Sequence, residues 1–351
     1  MNESIIRSSG ERYLGEGQIL ILEPENYPVL DQKSIKYVRS EFSRRGYELL
    51  YLPEIFRNID EDIVSYFAPE RISGGMPPLG IVQRRIEVEL ELIVISPTAI
   101  LSKNNQLCAI SDLEGDGTTE DFLDLFIDEL SPRHNLVHDL KPEYEMCECE
   151  PKMRESPRKF FHGNIFGCEV GAAKSPDESY DIENLISELC GKKKGQLRDI
   201  GLSEAALRFL MGCKIPKLSR MAITRRGEIL LEDYGRAEIK MDDKTKALYF
   251  LYLRHPEGIA IKELPRHRQE LMDLYQSISG RDDKSAMKRT VENLSDPYQN
   301  DANISLSRIK KAFCEIICDS VAKNYYVAGI RGGERKVVLD RSLITWETIR
   351  K

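Results

Sequence analysis

His134 and His138 stand four residues apart, so on a helix they would share one face. Cys147 and Cys149 follow closely, with His162 and Cys168 beyond them. Imidazole and thiolate are the ligand types zinc takes, and His134, His138, Cys147 and Cys149 would make a closed structural site. The spacing is against it. Cys-x-Cys replaces the commoner Cys-x₂-Cys, and Pro142 and a Glu-rich stretch intervene. Surface histidines and ordinary thiols account for the same residues. No Cys–His pair is singled out as a catalytic dyad.

Two other runs carry phosphate or metal chemistry in outline. Asp112-Leu-Glu114-Gly-Asp116-Gly117 starts like a calcium loop, but its twelfth position is Leu123, where a bidentate Glu is required. A turn before a helix explains it better. The acidic stretch Asp112–Asp124 would also suit a metal-dependent nuclease or phosphatase, but it has no second carboxylate cluster at a defined distance. Gly167-x₃-Gly171-Ala-Ala-Lys174-Ser175 approaches a phosphate-binding loop, with Ala173 where glycine must precede Lys-Ser. No residue is therefore assigned as catalytic, and no cofactor is required.

The elements that would position these groups begin with Gln18–Leu22, an apolar run that reads as a buried strand. Lys33–Arg45 has helical character and stops at Gly46, and Tyr47–Leu52 reads as a second strand. Strand, helix and strand predict an α/β (or α+β) domain. Arg71–Gly80 reads as a loop, and Arg84–Ile95 alternates apolar and charged residues as a half-buried strand does. Leu107–Ile110 has strand character. Thr118 and Thr119 precede Glu120 and Asp121, an N-cap for a helix through Leu130. Ile182–Leu189 and Glu204–Met211 predict a helical connector.

Charge divides the 351 residues unequally. The last 117 hold 22 Lys and Arg against 17 Asp and Glu, and the first 234 hold 29 against 41. The overall −7 argues against a protein that coats nucleic acid, but the C-terminal third alone is basic. No stretch is apolar enough to cross a membrane, and the polar start is unlike a secretory signal. The expectation is a cytoplasmic protein with reduced cysteines. Cys314 and Cys318 fall in an apolar helical pattern as buried thiols.

The C-terminal third is the most regular. Met221–Thr224 and Glu228–Glu232 predict a hairpin, with Ile239–Met241 as a third strand. Asp242 or Asp243 caps a helix through His255, ended by Pro256-Glu257-Gly258. A strand at Ile259–Ile261, a helix at Pro265–Ser279 and a polar helix-and-loop stretch at 281–300 follow. A helix over Ser305–Ala322 then leads into a hairpin of Tyr325–Ile330 and Lys336–Leu339.

In that order, AITRRGEILLEDYGRAEIKM, KALYFLYLRHPEGIAIKEL, ISLSRIKKAF and YYVAGIRGGERKVVL resemble the winged-helix output domain of OmpR/PhoB-type response regulators, over roughly residues 218–340. About twenty polar residues (281–301) stand where that family has a short loop. The resemblance implies that the helix of Ser305, Ser307, Arg308, Lys310 and Lys311 enters the major groove of double-stranded DNA. Arg331, Arg335 and Lys336 of the wing would touch the backbone beside it. Residues 1–175 do not complete a phospho-receiver: GQILILEPE is like its first strand, but no later strand ends in a phosphoacceptor Asp.

The expected organisation is an α/β-like domain over 1–175, a helical connector over 176–217 and a winged helix-turn-helix domain over 218–351. The expected role is a bacterial transcription regulator whose first domain senses a ligand or partner or forms a homodimer. The alternative is an enzyme-like or effector component of a multi-protein system such as phage defence, with the winged helix as a protein-binding module.

Overall fold

The computed structural model describes residues 2–6, 14–15, 17–24, 30–74, 77–103, 106–111, 118–130, 178–213, 215–279, 283–330 and 332–347. Its first sheet is built of β1 (Asn2–Ile6), β2 (Gln18–Leu22), β3 (Glu48–Tyr51), β4 (Thr98–Lys103) and β5 (Gln106–Ser111), in the order β1-β5-β4-β2-β3. β2 and β3 are parallel and joined through α1 (Gln32–Arg44), while β4 and β5 run antiparallel beside them. The antiparallel β4 beside β2 is incompatible with the all-parallel sheet of a receiver.

The continuous apolar run of β2 is explained by burial on both faces. Ile19 and Ile21 join a small core with Val38 and Phe42 of α1, while Leu20 and Leu22 face the main core. Asp31 caps α1 by accepting from the amides of Lys33 and Ser34. α2 (Leu52–Asn58) packs on β2 and β3, α4 (Leu79–Glu89) lies against α2, and the buried residues of α3 (Glu61–Phe67) join the same core, while α5 (Thr119–Glu129) lies beside α1. Thr118 and Asp121 close a reciprocal capping box on α5, as the sequence anticipates.

One strand expectation fails. Arg84–Ile95 contributes to helix α4, not to a strand. Ile86, Val88, Leu90 and Leu92 alternate, but Val82, Ile86 and Leu90 also recur every four residues, and these three are the buried set. Val88 is exposed, so the alternation had no second face to bury.

α6 (Glu178–Asp199) and α7 (Glu204–Leu210) lead to a second sheet of β6 (Met221–Ile223), β7 (Ile229–Leu231) and β8 (Ala237–Ile239). Next come α8 (Asp243–Arg254), β9 (Ile259–Ala260), a 3₁₀ stretch (Ile261–His267), α9 (Arg268–Ile278), α10 (Lys284–Ser295), α11 (Asp301–Ile316) and α12 (Asp319–Ala322). β10 (Val327–Gly329) and β11 (Glu334–Val337) form the final hairpin, and β9 pairs with β11. Gly258 opens β9 at φ +99°, and a Cβ there would stand 3.0 Å from the carbonyl oxygen of Arg335. Only glycine lets the two strands meet at that point. β12 (Ile344–Trp346) runs parallel to β6 and completes the sheet β12-β6-β7-β8.

The expected single helix over Ser305–Ala322 is two. α11 starts earlier, at Asp301, and Ile317 breaks it with extended dihedrals. The break lets the Cys318 amide donate to the Tyr66 carbonyl at the end of α3, 3.0 Å away. The fold is mixed α/β, and among the described residues one core cluster draws on side chains from Leu14 to Leu339, beside the smaller one around α1. Among the described residues, no helix is long and apolar enough to cross a membrane.

Candidate functional site

α11 is the element on which the expected DNA-reading residues lie, and it is wrapped rather than exposed. Ala302, Ser305, Leu306, Ile309, Ala312, Phe313 and Cys314 are buried, against α6, α8, α10, β8, β10 and α12. The expectation of an exposed Ser305 is corrected: its relative exposure is 0%. Ser305 belongs to the inward stripe of Ala302, Ile309 and Ala312, at three- and four-residue steps. Below it, Phe313 stacks on Tyr325 with ring centroids 5.8 Å apart and meets Tyr249 at 5.6 Å.

The other expected readers are half-buried, and each is engaged with a group of this chain. Glu183 of α6 accepts from Ser307 Oγ at 3.3 Å and from Lys310 Nζ at 3.1 Å. Lys310 also lies over the Tyr326 ring, 5.9 Å from its centroid. Burial opposes the Lys310 charge, yet the Glu183 carboxylate outweighs it and raises the ammonium pKa above its ordinary value. Arg308 lies 3.7 Å from Asp242, and Lys311 pairs with Glu315 at 3.2 Å. In the hairpin, Lys336 is exposed and Arg335 is half-buried, while Arg331 lies outside the described residues.

The helix that covers α11 does so by its spacing. Ile182 and Ile186 are buried on α6, with Cys190 half-buried one turn on, all at four-residue steps. Asn300 Nδ2 reaches Ser179 Oγ at 3.5 Å near the start of the same contact. Cys190 Sγ in turn lies 3.6 Å from the Tyr66 hydroxyl. The sequence predicts a helix in this connector stretch, and the structure adds that the helix covers α11. The stripe Ser179-Ile182-Glu183-Ile186-Cys190 is the signal that marks it.

Three further exposed cations lie on a neighbouring helix. On α10, Met287, Val291 and Leu294 face inward, and Lys284, Lys288 and Arg289 face solvent. This helix is made by the polar stretch that has no counterpart in the family resemblance.

The join to the first part of the chain is polar as well as apolar. Arg208 of α7 is buried and bridges the Phe67 carbonyl and the Glu70 carboxylate. Ser320 donates to Glu204, and Cys318 lies beside both. Burial pushes the Cys318 thiol up to about 11 and the Cys314 thiol higher still. Both are held as neutral thiols, which suits packing and not nucleophilic chemistry.

In the first part, a cleft of about 280 Å³ opens between α1, β3, α2 and the end of α6, and Arg39 and Glu54 pair across its wall. Glu23, at the end of β2, is buried and accepts from the Tyr51 hydroxyl at 2.9 Å. Burial raises its pKa, against the hydrogen bonds that favour the carboxylate. The expected metal ligands His134, His138, Cys147 and Cys149, the acidic run at 112–117 and the Gly167–Ser175 motif lie outside the described residues. The described histidines, His255 and His267, sit together where α8 ends and α9 begins.

No protein-family model, curated protein or solved structure matches the chain.

Proposed function

We propose that the chain is a DNA-binding regulator in a closed form, in which α6 lies on the helix that would read DNA. The observation that carries this is the order α8, β9, α9, α11 and β10–β11, with β9 paired to β11 beside the helices. That order supports a winged helix-turn-helix of the OmpR/PhoB type, with α11 as the reading helix and β10–β11 as the wing. Ser307, Arg308, Lys310 and Lys311 would then be freed together when α6 departs, and Arg331, Arg335 and Lys336 would add backbone contacts. Lys284, Lys288 and Arg289 of α10 are cations open to DNA without any rearrangement. The first part of the chain, which packs on both α6 and α12, would be the place where a ligand, a partner or a second copy releases the cover.

The test is retention of duplex DNA by the full chain and by Glu183→Lys/Ile186→Ala, which sets a cation against Lys310 and removes part of the apolar contact that holds α6. The variant is expected to bind more tightly than the wild type, with affinity falling steeply as salt rises. Adding Lys310→Gln and Arg331→Glu, which remove cations without remaking an ion pair to residue 183, should abolish retention. No retention by wild type or by folded Glu183→Lys/Ile186→Ala at low salt would overturn the proposal.

A second function rests on one specific observation: α11 already holds a helix through both apolar and polar contacts. A winged helix used in this way would be a protein-binding module in a multi-component system, with α6 as its built-in occupant. It predicts that Glu183→Lys/Ile186→Ala exposes a surface that captures a peptide of the α6 sequence but no DNA.

A further inference from the structure

We propose that His255, His267 and Glu270 form a binding site for a divalent transition-metal ion of the zinc class, with Glu257 as the carboxylate behind His255. This site is independent of the α6–α11 contact and of whether the domain binds DNA.

Three elements bring the donors together. His255 follows the last turn of α8, His267 ends the 3₁₀ stretch, and Glu270 stands in the first turn of α9, three residues after His267. Their donor atoms all lie within 4.8 Å of one another. Glu270 Oε2 is 2.9 Å from His255 Nε2 and 3.8 Å from His267 Nδ1. Tetrahedral zinc with bonds near 2.0–2.1 Å needs donors about 3.3 Å apart. The two observed separations bracket that figure, so small side-chain movements would suffice. The imidazole rings meet edge to face, 4.6 Å between centroids.

The surrounding groups have the pattern that supports metal ligands. His255 Nδ1 is 2.7 Å from Glu257 Oε1, so the nitrogen turned away from the cluster is held by a carboxylate. That arrangement fixes the ring orientation and raises the basicity of the ligating nitrogen. Arg254 Nη1 lies 3.5 Å from Glu270 Oε1, which leaves Oε2 to face the two histidines. His255, His267 and Glu270 are only partly exposed, at 21%, 25% and 31% of their side chains. The site is sheltered but reachable, and three protein donors leave one position for water or another ligand.

Without an ion, His255 serves both carboxylates only as an imidazolium. A metal ion would replace the proton on Nε2, so binding forms the metal–nitrogen bond and releases that proton to solvent. The ion would tie the Pro256-Glu257-Gly258 turn to α9, and the turn leads directly into β9, the strand that carries β11.

The experiment is zinc titration of the full chain, followed by calorimetry. The wild type is expected to take up one equivalent more than His255→Asn/His267→Asn. Glu257→Gln, a change at an exposed side chain, should keep the stoichiometry and weaken that equivalent about 10- to 100-fold. With cobalt(II), the visible bands lost in the double variant should lack thiolate charge-transfer character, which separates this site from any formed by cysteines. Circular dichroism checks that the variants fold. Equal zinc uptake by folded wild type and double variant would overturn the proposal, as would an unchanged affinity in Glu257→Gln.

Discussion

Glu183 holds Ser307 and Lys310 on one carboxylate, one oxygen to each, across 124 and 127 residues of sequence. The contact joins α6 to α11, but it is not what binds the two helices. The Lys310 and Glu183 side chains are 29% and 47% exposed, and such ion pairs contribute at most about 1 kcal/mol. The buried Ile182 and Ile186 supply the larger share.

Glu183→Ala should therefore lower global stability by less than about 1 kcal/mol in urea melts. Ile186→Ala should cost about 2–5 kcal/mol and speed amide exchange along α6. If Glu183→Ala proved the more damaging, the apolar stripe would not be the principal contact.

Arg208 is a buried cation whose partners are the Glu70 carboxylate and the Phe67 carbonyl. Arg208→Ala should destabilise by about 3–5 kcal/mol, because it strands a shielded carboxylate. Arg208→Met with Glu70→Leu should recover much of that loss, since no charge is left alone. Chemical denaturation of the three proteins makes the comparison; a double variant as weak as the single would assign Arg208 a packing role instead.

Tyr249 is fully buried on α8, and its hydroxyl donates to the Tyr325 carbonyl at 2.8 Å. Tyr325 in turn donates to the Ser219 carbonyl at 3.1 Å and accepts from the Ser219 amide at 2.6 Å. Tyr249→Phe should cost about 1–3 kcal/mol, because it leaves a buried carbonyl without its donor. Tyr325→Phe removes a donor and an acceptor at once and should cost more. Urea midpoints read both.

Asp233 accepts from the Arg220 side chain and from its backbone amide at 2.9 Å. These contacts hold its pKa at about 2, below the ordinary 3.8. A depressed carboxylate stabilises the fold above its unfolded pKa and loses that contribution as the pH falls through about 2. Asp233→Asn should flatten the stability curve between roughly pH 4 and 2 and leave its shape at neutral pH unchanged. The pair is well exposed, so the effect should be under about 1 kcal/mol.

The local signals in the sequence served where local physics decides. The β2–α1–β3 unit, the Thr118 cap and the sheet–helix–hairpin order after Met221 could all be read from apolar spacing and caps. Arg84–Ile95 carried two periods at once, and only the sheet packed against Val82 and Ile86 chooses between them. Thr98–Lys103 and Ile344–Trp346 hold residues suited to strands, but Ile344–Trp346 is too short to be told from a loop without β6, and Thr98–Lys103 is defined by β2 and β5 on either side. The candidate reading helix was located, but its exposure depended on α6, whose contact residues lie more than 120 positions away. The buried Ser305 could have been recognised, since it continues the apolar stripe of α11. The His255–His267 cluster leaves no local signal in the sequence, because its histidines are twelve residues apart and belong to separate elements.

The parallel pairing of β12 with β6 has a kinetic consequence. Ile344 meets Met221 and Trp346 meets Ile223, so the second sheet closes only across more than a hundred intervening residues. Contacts of such long sequence separation form slowly, because chain entropy is lost before they contribute. Until β12 arrives, one edge of β6 has unpaired amides and carbonyls, a template for another chain. Refolding should show a slow phase that Trp346, the chain's one tryptophan, can report as it packs on Phe250 at 5.2 Å. Losses to aggregation should rise with protein concentration during that phase and cease once it is complete.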